Sequence, residues 1–367
     1  MKARKVIIIV CVCALLATAC GIAAWLNSKD KYYIPEDLSP TDSYYDEANE
    51  TDDNLNELIG VTNRNGSTAE NLKCGGLAAV QGDWVYFGKD SLMKENIYTG
   101  ERVELLVGQS TVSNIAVCGA YVYFVLDGSE IYRTKIDGDG SDLEFLQMCE
   151  GVHWTFYFED EYLYFEKPTQ TGSSSYSYTL SRFSANDVNN VEEIYFLSDY
   201  ETLVGVYQGY AVIINKYEPD SFILYNIAAK QSKTVTNNYN FKFESAKDFH
   251  FDQGNIIYIN DNNGVLVYNI ESGSFTSNIT IPYPINIKYV CDGKYYFYMG
   301  DYYSSKIHGY IMLNWIDGEN TEYVKLGQEE LDLVNVVNDK IYLYDRLGKK
   351  TLYRTNIDGS NWETLSY

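Results

Sequence analysis

The sequence has few of the residues that mark common catalytic and metal sites. Its 367 residues include only three histidines, His153, His250 and His308, and none belongs to an HExxH pattern. His153 is predicted to pack on a strand. The chain has no GxSxG turn and no phosphate-binding GxxxxGK(S/T) loop. We therefore predict no catalytic residue, metal ligand or cofactor from motifs, and an enzymatic activity is not favoured.

Basic residues are also scarce, with 28 Lys and Arg against 51 Asp and Glu, a net charge of −23. A surface that binds nucleic acid needs Lys and Arg to neutralise phosphates, so this composition argues against a nucleic-acid partner. It is compatible with a solvated extracytoplasmic surface.

The seven cysteines contain no CxxC pair, so neither a zinc site nor a redox dithiol is indicated. Three lie in an apolar N-terminal segment. The other four are scattered, and we favour buried free thiols over a disulfide such as Cys74–Cys118; they are Cys74, Cys118, Cys149 and Cys291.

The N-terminus carries a basic region, residues 1–5, followed by 21 residues without a charge, residues 6–26. At about 1.5 Å per residue this run spans roughly the 30 Å core of a bilayer, and the preceding positive charges predict export of everything downstream. An uncleaved signal anchor is favoured because the apolar run continues through Leu26. Ala17-Thr18-Ala19 also fits a lipoprotein signal, which would leave Cys20 lipidated, or an ordinary secretory cleavage site. All three alternatives place the body of the protein outside the cytoplasm.

Residues 27–71 are acidic and poor in large aliphatic side chains. They lack the apolar surface that would offset the entropy of ordering, so we predict a flexible spacer that holds the folded domain, residues 72–367, away from the membrane.

Aromatic residues are abundant, with 36 Tyr, 15 Phe and 5 Trp. Most tyrosines fall on alternating runs, which favours half-buried strands over a sugar-binding surface of stacked rings. Seven of these runs follow a turn, and their last residues are spaced 37 to 49 residues apart; they are Gly82–Tyr86, Gly119–Tyr123, Asp160–Tyr164, Gly209–Ile213, Gly254–Tyr258, Gly293–Phe297 and Asn338–Tyr342.

A period near 43 residues with several strands per unit is typical of a β-propeller. Each unit has one strand before the aromatic run and two after it, as in Asn114–Val117, Ile131–Thr134 and Leu143–Leu146. The fold is therefore predicted to be all-β, with seven four-stranded blades, and six or eight as alternatives. The longest insertion, Lys167–Tyr178, is either a functional or a flexible loop.

The units share a pattern that resembles a known family. Gly82-Asp-Trp-Val-Tyr-Phe87 and Leu352-Tyr-Arg-Thr-Asn-Ile-Asp-Gly-Ser360 are similar to an uncharacterised bacterial family that is described as similar to the propeller of low-density-lipoprotein-receptor-related proteins. The resemblance covers about residues 65–367 and implies a propeller in an exported, membrane-attached protein, with no known reaction. Where the receptor repeats carry Tyr-Trp-Thr-Asp, this chain has Tyr123-Phe-Val-Leu126, so the receptor ligands do not carry over.

The turn Asp137-Gly-Asp-Gly-Ser-Asp142 has closely spaced carboxylates that could suit calcium. However, Ile-Asp-Gly recurs at Ile316–Gly318 and Ile357–Gly359, each time after a third strand. A repeated hairpin turn explains all three, and we favour it over a metal site.

The leading functional hypothesis is a monomeric, membrane-tethered propeller that binds a protein, peptide or cell-envelope glycan through its loops. A polysaccharide hydrolase or lyase would need close carboxylates in the channel. A structural envelope scaffold would need a large apolar face.

Overall fold

The computed structural model describes residues 66–106, 111–149, 155–170, 176–260, 264–280, 286–291, 294–299, 308–313, 322–325, 333–345 and 351–365. They belong to one compact unit, Leu55–Tyr367. No helix in these ranges has the length and apolar character needed to cross a bilayer. The segments 1–5 and 6–26, Cys20 and residues 27–65 of the linker lie outside them, and the predictions for these segments stay predictions.

The strands form seven antiparallel sheets of four, each built from consecutive strands. Blade 1 contains β1 Ala78–Gln81, β2 Trp84–Gly88, β3 Leu92–Asn96 and β4 Arg102–Leu106. Blade 2 contains β5 Val112–Cys118, β6 Tyr121–Leu126, β7 Glu130–Lys135 and β8 Glu144–Met148. Blade 3 contains β9 Phe156–Glu159, β10 Tyr162–Gln170, β11 Tyr176–Ser184 and β12 Asp187–Leu197. Blade 4 contains β13 Glu201–Tyr207, β14 Tyr210–Asn215, β15 Ser221–Asn226 and β16 Gln231–Thr236.

The remaining three sheets follow the same order. Blade 5 contains β17 Phe249–Asp252, β18 Asn255–Ile259, β19 Gly264–Asn269 and β20 Ser274–Thr280. Blade 6 contains β21 Asn286–Cys291, β22 Lys294–Met299, β23 His308–Leu313 and β24 Glu322–Lys325. Blade 7 contains β25 Leu333–Val337, β26 Lys340–Asp345, β27 Thr351–Asn356 and β28 Glu363–Leu365. One short α-helix, α1 Ala69–Lys73, precedes the first strand, and a 3-10 helix, Ala246–Asp248, precedes β17.

The prediction of four-stranded repeats is confirmed. Each of the seven aromatic runs contributes the second strand of its sheet, and tight turns such as those at Gly82 (φ +55°) and Gly119 (φ +59°) precede β2 and β6. The second strand β6 is buried on both faces, whereas the outer strand β16 is mostly exposed. Blades stack face to face, so their inner strands need apolar and aromatic side chains on both sides.

The hydrophobic core lies between blades. Its clusters combine side chains of neighbouring sheets; for example, the Tyr123 ring of blade 2 meets Phe158 of blade 3 at 5.3 Å between ring centroids. Tyr207 of blade 4 stacks on Phe251 of blade 5 at 5.1 Å. A single blade could not bury these rings, so the units stabilise one another.

The ring closes between blade 1 and blade 7, where β1 lies beside β25. No sheet combines strands from the two ends of the described chain. Side-chain contacts between blades 1 and 7, rather than a shared sheet, therefore close the ring at this junction. The rings of Phe87 and Tyr342 lie 6.1 Å apart across it. An ion-pair network of four residues also bridges it, formed by Glu95 and Arg102 of blade 1 with Arg354 and Glu363 of blade 7.

The Tyr-Arg-Thr pattern of the third strands has a packing role. In blade 2 the Arg133 guanidinium lies 4.1 Å from the centre of the Tyr121 ring and pairs with Glu144 of the fourth strand at 2.7 Å. The next residue, the buried Thr134, donates its hydroxyl to Asp142 Oδ1 at 2.7 Å. Asp142 Oδ2 accepts the Lys135 N–H, so this carboxylate closes the turn. The hairpin-turn interpretation is confirmed here; Ile316–Gly318 lies outside the described residues.

Antiparallel pairing gives the ring two faces. The first face carries the turns between strands 1 and 2 and between strands 3 and 4 of each blade. The second face carries the turns between strands 2 and 3 and the connections between blades. The insertion Lys167–Tyr178 lengthens the β10–β11 hairpin of blade 3, which pairs continuously from Tyr162↔Ser184 to Gln170↔Tyr176 and points to the second face.

Candidate functional site

The channel enclosed by the first strands is occupied by α1, which we call the channel helix. It contacts the first strands of blades 2 to 7. The helix begins after Thr68, whose hydroxyl accepts the Asn71 N–H at 3.0 Å, and it ends at Lys73 before Gly75 and Gly76. Both glycines have positive φ, +96° and +48°, which turns the chain into β1.

Side chains of the first strands or next to them add hydrogen bonds to the last carbonyl groups of the channel helix, which also accept the Gly75 and Gly76 N–H groups at 3.2 Å and 2.7 Å. Asn114 Nδ2 donates to the Leu72 carbonyl at 2.5 Å, and the Thr155 hydroxyl donates to the same oxygen at 3.2 Å. Asn335 Nδ2 donates to the Asn71 carbonyl at 3.3 Å. Blades 2, 3 and 7 therefore hold one turn of helix through hydrogen bonds.

Asn71 is buried and uses both ends of its side chain. Its Nδ2 donates to the Val336 carbonyl at 3.2 Å, and its Oδ1 accepts the Tyr289 hydroxyl at 2.7 Å. The structure thus differs from the predicted boundary at residue 72, because residues 66–71 belong to the folded domain. Hydrogen bonds rather than apolar side chains order this stretch, so its composition resembles that of a linker.

Glu70 is the buried acidic residue of the helix. Its Oε1 lies 2.5 Å from His250 Nδ1 and accepts the Cys74 thiol at 3.4 Å, while Oε2 accepts the Phe251 N–H at 2.9 Å. Burial alone raises the pKa of Glu70, but the neighbouring His250, Lys73 and the Phe251 N–H outweigh it, so the pKa lies below its ordinary value. The channel therefore holds a carboxylate.

Glu70, Cys74 and His250 form the one group of potential metal ligands found in the described ranges, with one donor atom from each within 4.8 Å of the others. Sequence motifs missed it because His250 lies 180 residues from Glu70. The only local signal is the spacing of Glu70 and Cys74, four residues apart on one helix face. His153 lies outside the described residues, and His308 begins β23.

None of the four cysteines in the described part of the propeller is joined in a disulfide. Cys118 and Cys149 are buried, whereas Cys74 and Cys291 are half-buried. The prediction of buried thiols is therefore confirmed for Cys118 and Cys149, and the alternative Cys74–Cys118 disulfide is wrong.

A second carboxylate, Glu159, sits at the first-face rim of the channel. Its Oε2 accepts the Gly209 N–H of the next blade at 2.8 Å. Burial raises its pKa to about 7, despite that hydrogen bond and with a small contribution from Asp160.

This raised pKa predicts a pH-dependent stability. Between the unfolded pKa near 4.5 and the folded pKa near 7 the native state binds more protons, so stability falls as pH rises through this window. Glu159→Gln keeps an acceptor for Gly209 but removes the charge. We expect the variant to gain about 2 kcal/mol relative to the wild type between pH 5 and pH 8 in urea unfolding. The exposed control Glu244→Gln should follow the wild type, and parallel curves for all three proteins would contradict the assignment.

Exposed aromatic residues cluster on the second face of blade 4, next to the ends of β13 and β14. The rings of Tyr200 and Tyr217 lie 4.7 Å apart, and their residues are 46% and 68% exposed. Lys216 Nζ lies 4.9 Å and 5.4 Å from the two ring centres and donates to the Asp199 carbonyl at 3.3 Å. We call Tyr200, Lys216 and Tyr217 the aromatic site. Both tyrosines and Lys216 are exposed to solvent.

Comparisons with known proteins give a fold-level result. No protein-family model and no curated protein matches the sequence. Among solved structures, the chain is similar to the computationally designed Ika8 protein, with 14% identity, a TM-score of 0.47, and coverage of 83% of this chain and 89% of that one. It is also similar to the WD40 β-propeller domain of Doa1, with 10% identity, a TM-score of 0.43, and coverage of 72% and 86%. The chain's own seven sheets around one channel define it as a β-propeller protein.

Proposed function

We propose that this chain is a membrane-tethered, extracytoplasmic recognition module that binds a cell-envelope glycan, peptide or protein on the second face of its propeller. The observation that carries the proposal is that the channel helix occupies the channel and is held there by the chain's own hydrogen bonds. We therefore expect a ligand to bind to the loops, where binding residues of rigid scaffolds usually lie.

The position of Gly66 supports the choice of face. Its carbonyl accepts the Val80 N–H at 2.7 Å at the first-face mouth of the channel. Residue 66 therefore enters the propeller at the first face, opposite the face that carries the aromatic site. The resemblance of blades 1, 2 and 7 to the lipoprotein-receptor-like bacterial family agrees with export and attachment.

The aromatic site supports the choice of ligand chemistry. Exposed tyrosine rings stack on the apolar faces of sugar rings, and an ammonium group can donate to hydroxyl or carboxylate oxygens. In addition, the two rings already contact each other, so little side-chain entropy is lost when a ligand orders them. A glycan is therefore the first ligand class to test.

The test measures ligand capture by the full chain in detergent, using a glycan array and envelope extract. For the best ligand, Tyr217→Ala is expected to weaken binding at least about tenfold, because a central aromatic contact is worth more than 1 kcal/mol. The matched control is Tyr98→Ala, since Tyr98 is 70% exposed on the β3–β4 turn of the first face. Equal losses for both variants would contradict the proposed face. A ligand returned cleaved would favour the hydrolase or lyase, and no saturable ligand would favour the scaffold.

A further inference from the structure

We propose that Glu70, Cys74 and His250 bind one Zn²⁺ ion inside the propeller channel. Glu70 lies in the channel helix, Cys74 directly follows the helix, and His250 lies in the first strand of blade 5. In β17 the side chains alternate, and His250 faces the helix while Phe251 packs against Gly205 and Tyr207. The site depends on neither the tether nor the second face.

The donor geometry is close to that of a tetrahedral zinc site. Zinc bonds of about 2.0–2.3 Å place neighbouring ligand atoms about 3.3–3.8 Å apart. Cys74 Sγ and Glu70 Oε1 are already 3.4 Å apart. His250 Nδ1 and Glu70 Oε1 are 2.5 Å apart, in direct hydrogen-bond contact, so zinc binding requires these two atoms to separate by about 1 Å.

Charge balance also favours a divalent cation. Zinc takes the carboxylate form of Glu70 and the neutral form of His250, and its binding displaces the proton of the Cys74 thiol. The ion and its two anionic ligands then sum to zero net charge, which suits a site removed from water. Lys73, the nearby cation, directs its ammonium to the Lys247 carbonyl at 3.3 Å and does not occupy the site.

The donor set distinguishes zinc from the common hard cations. Calcium and magnesium prefer all-oxygen ligands, whereas one sulfur, one nitrogen and one carboxylate oxygen suit zinc. Three protein ligands leave a fourth tetrahedral position for water. Cys74 is half-buried, so it gives the ion a route from solvent to the two buried ligands. Bound zinc would fix the channel helix to blade 5.

Cobalt is a spectroscopic probe for this site, because a Co²⁺–thiolate bond absorbs in the near ultraviolet. The metal-free full chain should bind one Co²⁺ with this absorption, and Zn²⁺ should displace it. Cys74→Ser is expected to abolish the absorption, and His250→Gln to weaken binding at least about tenfold. Cys149→Ser removes a buried thiol elsewhere in the propeller, and it should leave the absorption and the Co²⁺ affinity unchanged. The proposal would be overturned if the chain did not bind one Co²⁺ ion, or if the absorption persisted in Cys74→Ser.

A second measurement needs no variant. Alkylation of the wild-type chain, mapped by mass spectrometry, should slow at Cys74 when Zn²⁺ is added. Cys291 is an internal control because it is also half-buried and is not joined in a disulfide. If Zn²⁺ slows both thiols equally or neither of them, the proposed site is wrong. The melting temperatures of the metal-free variants show whether a lost signal reflects unfolding.

Discussion

Replacing Gly76 with alanine is expected to lower the free energy of unfolding by about 4 kcal/mol, because the new methyl group meets immovable backbone. A Cβ on Gly76 would lie 2.5 Å from Asn114 Cα and 2.8 Å from the Ile115 nitrogen. The Gly76 carbonyl also accepts the Ile115 N–H at 2.8 Å, so these two segments of the chain cannot move apart without losing that hydrogen bond. The left-handed φ of +48° adds to the cost.

Gly100→Ala separates the steric cost from the conformational one. Gly100 also has positive φ, +70°, but a Cβ added there would meet no described atom within 4 Å. This control should lose about 1 kcal/mol. Urea unfolding of the wild type and both variants measures the difference. Equal losses of stability in Gly76→Ala and Gly100→Ala would mean that the close contact between Gly76 and blade 2 adds nothing to the cost of the substitution.

The fold was predictable because each unit repeats a local signal. A turn, an alternating aromatic strand and a Tyr-Arg-Thr strand recur along the chain, and Tyr123 and Tyr342 occupy equivalent places in blades 2 and 7. The extra residues after Lys167 also disturb the period where the β10–β11 hairpin is longer than its counterparts. The strand order was also predictable, because each sheet is built from four strands that are consecutive in sequence.

The channel helix was not predictable from the same reasoning. Glu70 and Asn71 have the composition of a solvated linker, and only partners far along the chain make their burial favourable. Burying a polar group without a partner costs several kcal/mol, so the helix is stable there only because the ring supplies the partners. The aromatic site was missed for a related reason, since Tyr200 and Tyr217 meet only when β13 and β14 of blade 4 pair.

The junction between blades 1 and 7 is a further feature that depends on distant residues. Arg354 Nη1 lies 2.9 Å from Glu95 Oε1 across the junction, and its Nη2 lies 2.6 Å from Glu363 Oε2. The Arg354 and Glu95 side chains are only 14% and 10% exposed. Water screens this pair less than an exposed pair, so we expect its loss to be costly.

Replacing Arg354 with leucine is therefore expected to cost about 3 kcal/mol, because Glu95 stays nearly buried and keeps only Arg102 as a cation partner among the described residues. Arg133→Leu is the matched control. Arg133 occupies the same third-strand position in blade 2 but pairs within its own blade, with a Glu144 side chain that is 46% exposed. It should cost about 1 kcal/mol. Equal losses would show that the junction is no more dependent on ion pairing than a blade interior.

The acid dependence of Arg354→Leu provides a second measurement of the same network. Burial raises the pKa of Glu363, but hydrogen bonds from Arg102 and Arg354 outweigh it, so its pKa lies below the ordinary value in the folded protein. A carboxylate with a lowered folded pKa contributes stability above its unfolded pKa and loses that contribution as pH falls through the folded pKa. The stability difference between wild type and Arg354→Leu should therefore be largest near pH 7 and shrink below pH about 4.5. A difference that stays constant down to pH 3 would assign the Arg354 effect to packing on Tyr342 instead of charge.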